Sequence, residues 1–421
     1  MSLENTSKRF MISEDWTVNI LGFLIIALAL GGLSLPEPVF SWKSSDDLGI
    51  KVFTAENMSR IGIKFLFVFA IALLGAWLSG KPVKHFIIVF PVIYLLTVIA
   101  LIVAGNGTMK SLNLEAVIFS LVIGLLIGNL FRLPDSFRAA LTTEMFVKTG
   151  LVLLGTSIIF SDILKAGSLG LIQALVVVVS VWYFAYWVCK LLKIDDEMKM
   201  MIASAVSICG VSAAIATAGA IKGDSKKLSY VISMVLITAI PMMIFMPVIA
   251  HNIGLSQAVT GAWLGGTIDT TGAVVAAGTL VGEEALKYST IVKFSQNVLL
   301  GLAAFGISIY WTYNKKQGAG NTAEKPSLKV ILDRFPKFVL GFVAASLLFS
   351  FAISPETNAQ VKDGLKSIQG LWFVLAFTSI GLETNLKDLL ANNNIKPLIA
   401  FLVAQVFNIF VTLLIAYYLF Q

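Results

Sequence analysis

Catalytic raw material is scarce in this chain. It has two cysteines, Cys189 and Cys209, and two histidines, His85 and His251. Both cysteines fall in or beside apolar segments without CxxC spacing, which argues against a disulfide framework or a thiolate metal site. The histidines are far apart at segment ends, and no HExxH, G-x-S-x-G or P-loop pattern occurs. The expectation is therefore no enzyme, no metal and no bound cofactor. Charge is scarce too: 13% of residues are charged, where a soluble chain carries about 25%. The net charge of +7 comes from lysines scattered between apolar runs, which reads as cytoplasmic loop charge and not as a nucleic-acid footprint.

What the chain has instead is hydrophobic residues, 57% of the total, in repeated runs near the length that spans a bilayer. Thirteen apolar segments can be counted between Val18 and Phe420. The fold class they predict is an all-α polytopic membrane protein of about 11–13 membrane segments. The polar N-terminus precedes a run too long for a signal-peptide core, so a retained first span is expected. Composition divides the chain into 1–112, N-terminal scaffold-like helices; 113–312, a transporter core; 313–337, a cytoplasmic linker rich in Lys, Gly and Pro; and 338–421, C-terminal helices.

Two stretches of the core have the wrong residues for lipid-facing spans. The first, at 200–227, crowds Ser204, Ser207, Cys209, Gly210, Ser212, Thr217 and Gly219 among apolar neighbours. Small and hydroxyl side chains at membrane depth signal close packing or a broken helix lining a cavity. The second, at 258–285, holds Asp269 between Thr267, Thr270 and Thr271, with Gly265, Gly266 and Gly272 around it. If every segment crossed the membrane, Lys222, Lys226 and Lys227 would be stranded outside. If both stretches are re-entrant or strongly bent, entering from opposite faces, every basic loop falls inside. An internal echo, LLGTSIIFSDIL from Leu153 and LAFTSIGLETNLKDLL from Leu375, predicts inverted repeats around discontinuous helices.

Candidate substrate-binding residues follow from these stretches. Asp269 is an ionisable group at membrane depth, which is costly unless it faces a partner or a water-filled cavity. Lys293, Gln296 and Asn297 recur at i, i+3, i+4 on one helix face. They suit an oxyanion, with Lys293 supplying the charge; alternatively Lys293 pairs with Asp269. Ser207, Cys209, Gly210 and Ser212 would offer hydroxyls and amides at a helix break, where a half-helix N-terminus attracts anions. Thr267, Thr270 and Thr271 complete the set. A second tier comprises Lys148, Thr156 and Ser157 at the first copy of the echo, and Thr378, Ser379, Glu383 and Asn385 at the second. Gly124 with Gly128, and Gly261 with Gly265, read as packing seams.

SICGVSAAIATAGAIK from Ser207, GTIDTTGAVVAAG from Gly266, TIVKFSQNVLLG from Thr290 and FVKTGLVLLGTSIIFSDIL from Phe146 together resemble the YeiH-like family of sulfate exporters. That family is similar to the larger group of sodium/proton antiporters and bile-acid symporters. The resemblance implies a secondary transporter with a core moving against a scaffold, in a bacterial inner membrane. The chain departs from the family pattern where His-Glu and a Gln give way to Asp269-Thr270 and Ala273, and where an Arg gives way near Gln296. Losing those groups removes anion-binding charge and points to a different substrate or coupling ion.

The leading expectation is thus a secondary transporter of a small anion such as sulfate or a sulfonate, coupled to a proton or sodium ion. The alternatives are a cation antiporter using Asp269 and Lys293, and a non-transporting membrane subunit or sensor. The expected partners are the anion, the lipid bilayer and a second copy in a homodimer, with no nucleic acid.

Overall fold

The computed structural model describes residues 12–111, 116–314, 336–384 and 395–421. Long helices dominate, and no strand occurs among the described residues. Taking the helices of ten or more residues in chain order, α1 is Glu14–Leu30, α2 Ala55–Leu78, α3 Val83–Ala104, α4 Ala116–Leu130 and α5 Thr143–Leu154. Then come α6 Phe160–Leu191, α7 Asp196–Ser207, α8 Val211–Ile221, α9 Ser225–Asn252, α10 Gln257–Thr267, α11 Thr271–Val281 and α12 Glu283–Asn314. The last three are α13 Phe338–Leu347, α14 Pro355–Glu383 and α15 Lys396–Phe420. Among the described residues seven helices (α2, α3, α6, α9, α12, α14 and α15) are long and apolar enough to cross a membrane. The chain is an all-α polytopic membrane protein.

Two compact units divide it: Met1–Phe160 with Lys337–Thr384, and Ser161–Pro336 with Asn385–Gln421. These boundaries group the chain differently from the four-part division by composition, because each unit draws on separate stretches of sequence. The linker charges at 315–335 and the echo beyond Thr384, including Asn385, lie outside the described residues.

In the first unit the central helix is α14, with 78% of its apolar window buried. It lies so close to α4 that a methyl group added at Gly124 would strike Thr378 O, and one at Gly128 would stand 2.7 Å from Leu382 O. Gly124 and Gly128 are therefore a packing seam, matched on α14 by Gly381, whose own added methyl would stand 2.5 Å from Leu121 O. Lys64, buried on α2, is held by Glu37 and Ser367 at 2.5 and 2.6 Å.

The second unit contains both unusual stretches, and each is a broken hairpin. α7 stops at Ser207 and α8 restarts at Val211, with Ile208, Cys209 and Gly210 between. Gly210 has φ +56°, a left-handed conformation that disfavours any residue with a Cβ. The chain then returns to where it started: Lys227, in the first turn of α9, reaches back to Asp195 (2.7 Å) and Glu197 (3.1 Å) at the start of α7. α10 and α11 break at Ile268, Asp269 and Thr270. Their ends meet as well, because Gln257 Oε1 at the start of α10 accepts from Ala285 N beyond α11. Both elements thus double back on themselves. They leave from opposite ends of α9, a 28-residue helix about 42 Å long at 1.5 Å per residue, and so approach each other from opposite sides. Around the first hairpin the unit's core is apolar, with Val177, Val181, Met200, Met201, Val231 and Phe401 all buried.

Candidate functional site

The two tips touch. A methyl group placed on Gly210 would stand 2.9 Å from Asp269 Cβ and 3.3 Å from Asp269 O. Glycine is required here twice over, by the backbone angle and by this approach. Each hairpin ends its first arm at the contact, leaving the last carbonyls of α7 and α10 without helical partners. In hydrocarbon such groups must be met by protein, and the unit does so from two neighbouring helices.

From α12, Lys293 Nζ donates to Ile208 O and Ile268 O, both at 2.9 Å, and to Gln296 Oε1 at 2.8 Å. Gln296 Nε2 donates to Ser207 O at 2.9 Å and Gly266 O at 3.2 Å. Asn297 Nδ2 lies 3.4 Å from Thr271 Oγ1. The i, i+3, i+4 face of α12 therefore serves both tips at once. From α15, Asn408 Nδ2 donates to Val206 O (3.1 Å) and Thr267 O (3.3 Å), while Gln405 Nε2 donates to Thr267 O (3.0 Å). Thr412 Oγ1 fixes the Asn408 amide by donating to its Oδ1 at 2.8 Å. Farther along α10, Gln173 of α6 donates to Ala262 O at 2.8 Å.

This arrangement alters one expected partnership. Lys293 does not pair with Asp269: all three of its hydrogens go to neutral oxygens. A helix carbonyl end is a partial negative charge, and two such ends converge on this ammonium. Asp269, 1% exposed, leaves Oδ2 without a hydrogen-bond partner, as do the buried Thr267 Oγ1 and Asn297 Oδ1.

The remaining candidates divide by where their polar atoms go. Ser207 Oγ returns to Ala203 O of its own helix at 2.7 Å, so its carbonyl, and not its hydroxyl, belongs to the site. Cys209 is buried at the first tip, and Ser212 is exposed on the second residue of α8. Thr270 caps α11, its Oγ1 accepting from Ala273 N at 3.3 Å.

The second-tier residues among those described lie in the first unit. Lys148 meets Asp15 at 3.1 Å, Glu14 at 3.2 Å and Glu144 at 3.6 Å. Thr156 and Ser379 bond back to carbonyls of their own helical turns, and Ser157 is exposed. Thr378 does likewise and also meets Thr97 Oγ1 at 2.9 Å. Glu383 accepts from Thr143 at 2.9 Å.

Sequence reasoning missed Gln405, Asn408, Thr412 and Gln173. The signal was present: Gln405, Asn408 and Thr412 stand at i, i+3, i+7 in an otherwise apolar helix, the same pattern that singled out Lys293 and Gln296.

A family model described as "Conserved hypothetical protein 698" matches residues 88–401. A UPF0324 membrane protein of Rhodopirellula baltica is 41% identical over 367 residues, covering 85% of this chain and 67% of that one. Another, from Nitratidesulfovibrio vulgaris, is 39% identical over 360 residues, covering 82% of this chain and 61% of its own length. A third, from Nitrosomonas europaea, is 26% identical over 440 residues, covering 90% and 89%. The chain spans less than two thirds of the Nitratidesulfovibrio relative. No solved structure matches.

Proposed function

This chain belongs to the UPF0324 membrane-protein family, and we propose that it is a secondary transporter of a small anion, such as sulfate or a sulfonate, working in a bacterial inner membrane. The observation that carries this reading is the meeting of two helix N-termini, those of α8 and α11, at the Gly210–Asp269 contact. The first amides of a helix lack intrahelical acceptors and carry partial positive charge, which makes such an end a ready anion site. Ser212 and Thr271 add hydroxyls beside those amides. Lys293 supplies a full positive charge behind the tips; its hydrogens are spent, so it acts on the anion through the field and not by contact.

Asp269 carries the coupling proton in this reading. A carboxyl oxygen sealed from water without a donor is costly when ionised.

The test is thermal unfolding of the purified protein against sulfate, short sulfonates and other small anions, with Ser212→Asp alongside. An aspartate at this second helical position favours the helix yet places a negative charge where the anion would sit. One anion should stabilise the wild type and lose that effect in Ser212→Asp. Equal stabilisation of both proteins would sink the proposed location.

A second reading, cation–proton antiport, draws on the unpaired Asp269 oxygen. It requires sodium or another cation, and no anion, to stabilise the wild type, and Asp269→Asn to abolish the effect. A packing-only membrane subunit would respond to neither.

A further inference from the structure

Lys293 is held in an unusual way for a buried lysine. It is 1% exposed, yet its three hydrogens point at Ile208 O, Ile268 O and Gln296 Oε1, between 2.8 and 2.9 Å away. Buried charges are ordinarily neutralised by a counter-charge. Here a single positive centre is surrounded by neutral oxygens, one from each hairpin tip and one from an amide. Unwound carbonyls and helix C-termini arranged around a point of positive charge are the ingredients of a monovalent-cation site.

A second, independent observation points the same way. On either side of Ile268, whose carbonyl is one of the three ligands, Thr267 Oγ1 and Asp269 Oδ2 are buried oxygens with no hydrogen-bond partner. An ammonium has only three hydrogens to give and leaves them unmet, whereas a spherical ion has no such limit and takes more oxygens than three.

We propose that the two tips and Gln296 form a site for a monovalent cation of potassium or ammonium size, and that the Lys293 ammonium fills it permanently. The 2.8–2.9 Å spacing suits an ion of that size better than the smaller sodium. The lysine is a tethered cation, so the hairpins close without a free metal ion. Truncating Lys293 uncovers the site. This inference does not depend on which anion the protein carries.

The experiment is thermal unfolding of purified wild type, Lys293→Ala and Lys293→Met in choline, sodium, potassium, ammonium and methylammonium chlorides at equal ionic strength. Wild type should unfold at the same temperature in all five. Lys293→Ala should unfold several degrees lower in choline and recover, saturably, with potassium, ammonium or methylammonium. Lys293→Met, whose side chain still occupies the space, should stay low in every salt. Stabilisation of wild type by any of these cations would overturn the proposal, and so would a Lys293→Ala variant indifferent to all of them. If Lys293→Ala cannot be purified in choline, its recovery in potassium or ammonium buffer supports the site; failure of both Lys293→Ala and Lys293→Ser in every salt refutes it.

Discussion

Among the described residues each unit has one membrane-length helix that is mostly buried, α14 in the first and α12 in the second, with 78% and 67% of their apolar windows covered. Both carry polar residues, and a count of those residues does not separate them. What separates them is where the polar atoms go. On α14, Thr378 and Ser379 bond to Val374 O and Leu375 O, one turn back in the same helix, and the bonds that leave the helix meet side chains (Thr97 at Thr378, Thr143 at Glu383, Lys64 and Glu37 at Ser367) and no broken backbone. On α12, Lys293 and Gln296 reach carbonyls of two other elements, and each bridges both hairpins. A hydroxyl satisfied within its own helix asks nothing of its neighbours. A side chain holding two broken helices together is committed to one arrangement of the whole unit.

The sharpest way to test that contrast is to remove the bridging charge. Lys293→Met leaves Ile208 O and Ile268 O unmet in a buried tip, and should cost about 3 kcal/mol or more, since hydrogen bonds to a charged group are worth about 1.5–3 kcal/mol each. The readout is reversible unfolding in detergent. Next in size is the backbone of the first tip. Gly210→Ala forces a left-handed conformation on a residue with a Cβ and drives its methyl against Val235 and Asp269. Overpacking of this kind costs about 1–3 kcal/mol, with backbone strain added.

Removing one carboxamide should come third. Gln296→Leu and Asn408→Leu each lose two bonds to hairpin carbonyls, about 2 kcal/mol apiece at the usual worth of a neutral hydrogen bond, and Gln296→Leu also removes the acceptor of one Lys293 hydrogen. Because both clasp the same two hairpins, the double variant should depart from the sum of the singles by more than about 0.5 kcal/mol. Strict additivity would mean that the hairpins are held independently. At the small end, Ser379→Ala on α14 should change stability by less than about 0.5 kcal/mol, the range of a substitution that touches no partner element. A loss comparable to that of Gln296→Leu would erase the contrast between the two helices.

Much of this was legible in the sequence, and the reasons are specific. Gly210, Gly265 and the Asp269 triplet stand out because lipid-facing helices have no use for them. The stranded charges at Lys222, Lys226 and Lys227 pointed to re-entrant or strongly bent elements, and Lys227 ties the base of the first hairpin to Asp195 and Glu197. The role of Lys293 was not legible. Its attraction to carbonyl oxygen, and not to the nearby carboxylate, depends on how two helix ends are aimed, which no spacing rule records. Gln405 and Asn408 escaped for a different reason: they stand more than a hundred residues from the breaks they cap. The second-tier residues were drawn from an echo of apolar text, and the bonds of those described stay within the first unit.

The hairpins also bear on how the protein is built. Their arms are 11 or 12 residues long, about 17 Å of helix at 1.5 Å per residue, against a hydrocarbon core of about 30 Å. None of these arms is long enough to lodge in the bilayer as a span of its own. Between them they pack against α9 and α12 in the folded unit. Two of the side chains that meet their carbonyls, Gln405 and Asn408, belong to the last helix, which is made after both hairpins. The carbonyls at the tips therefore gain these partners only once the last helix is in place.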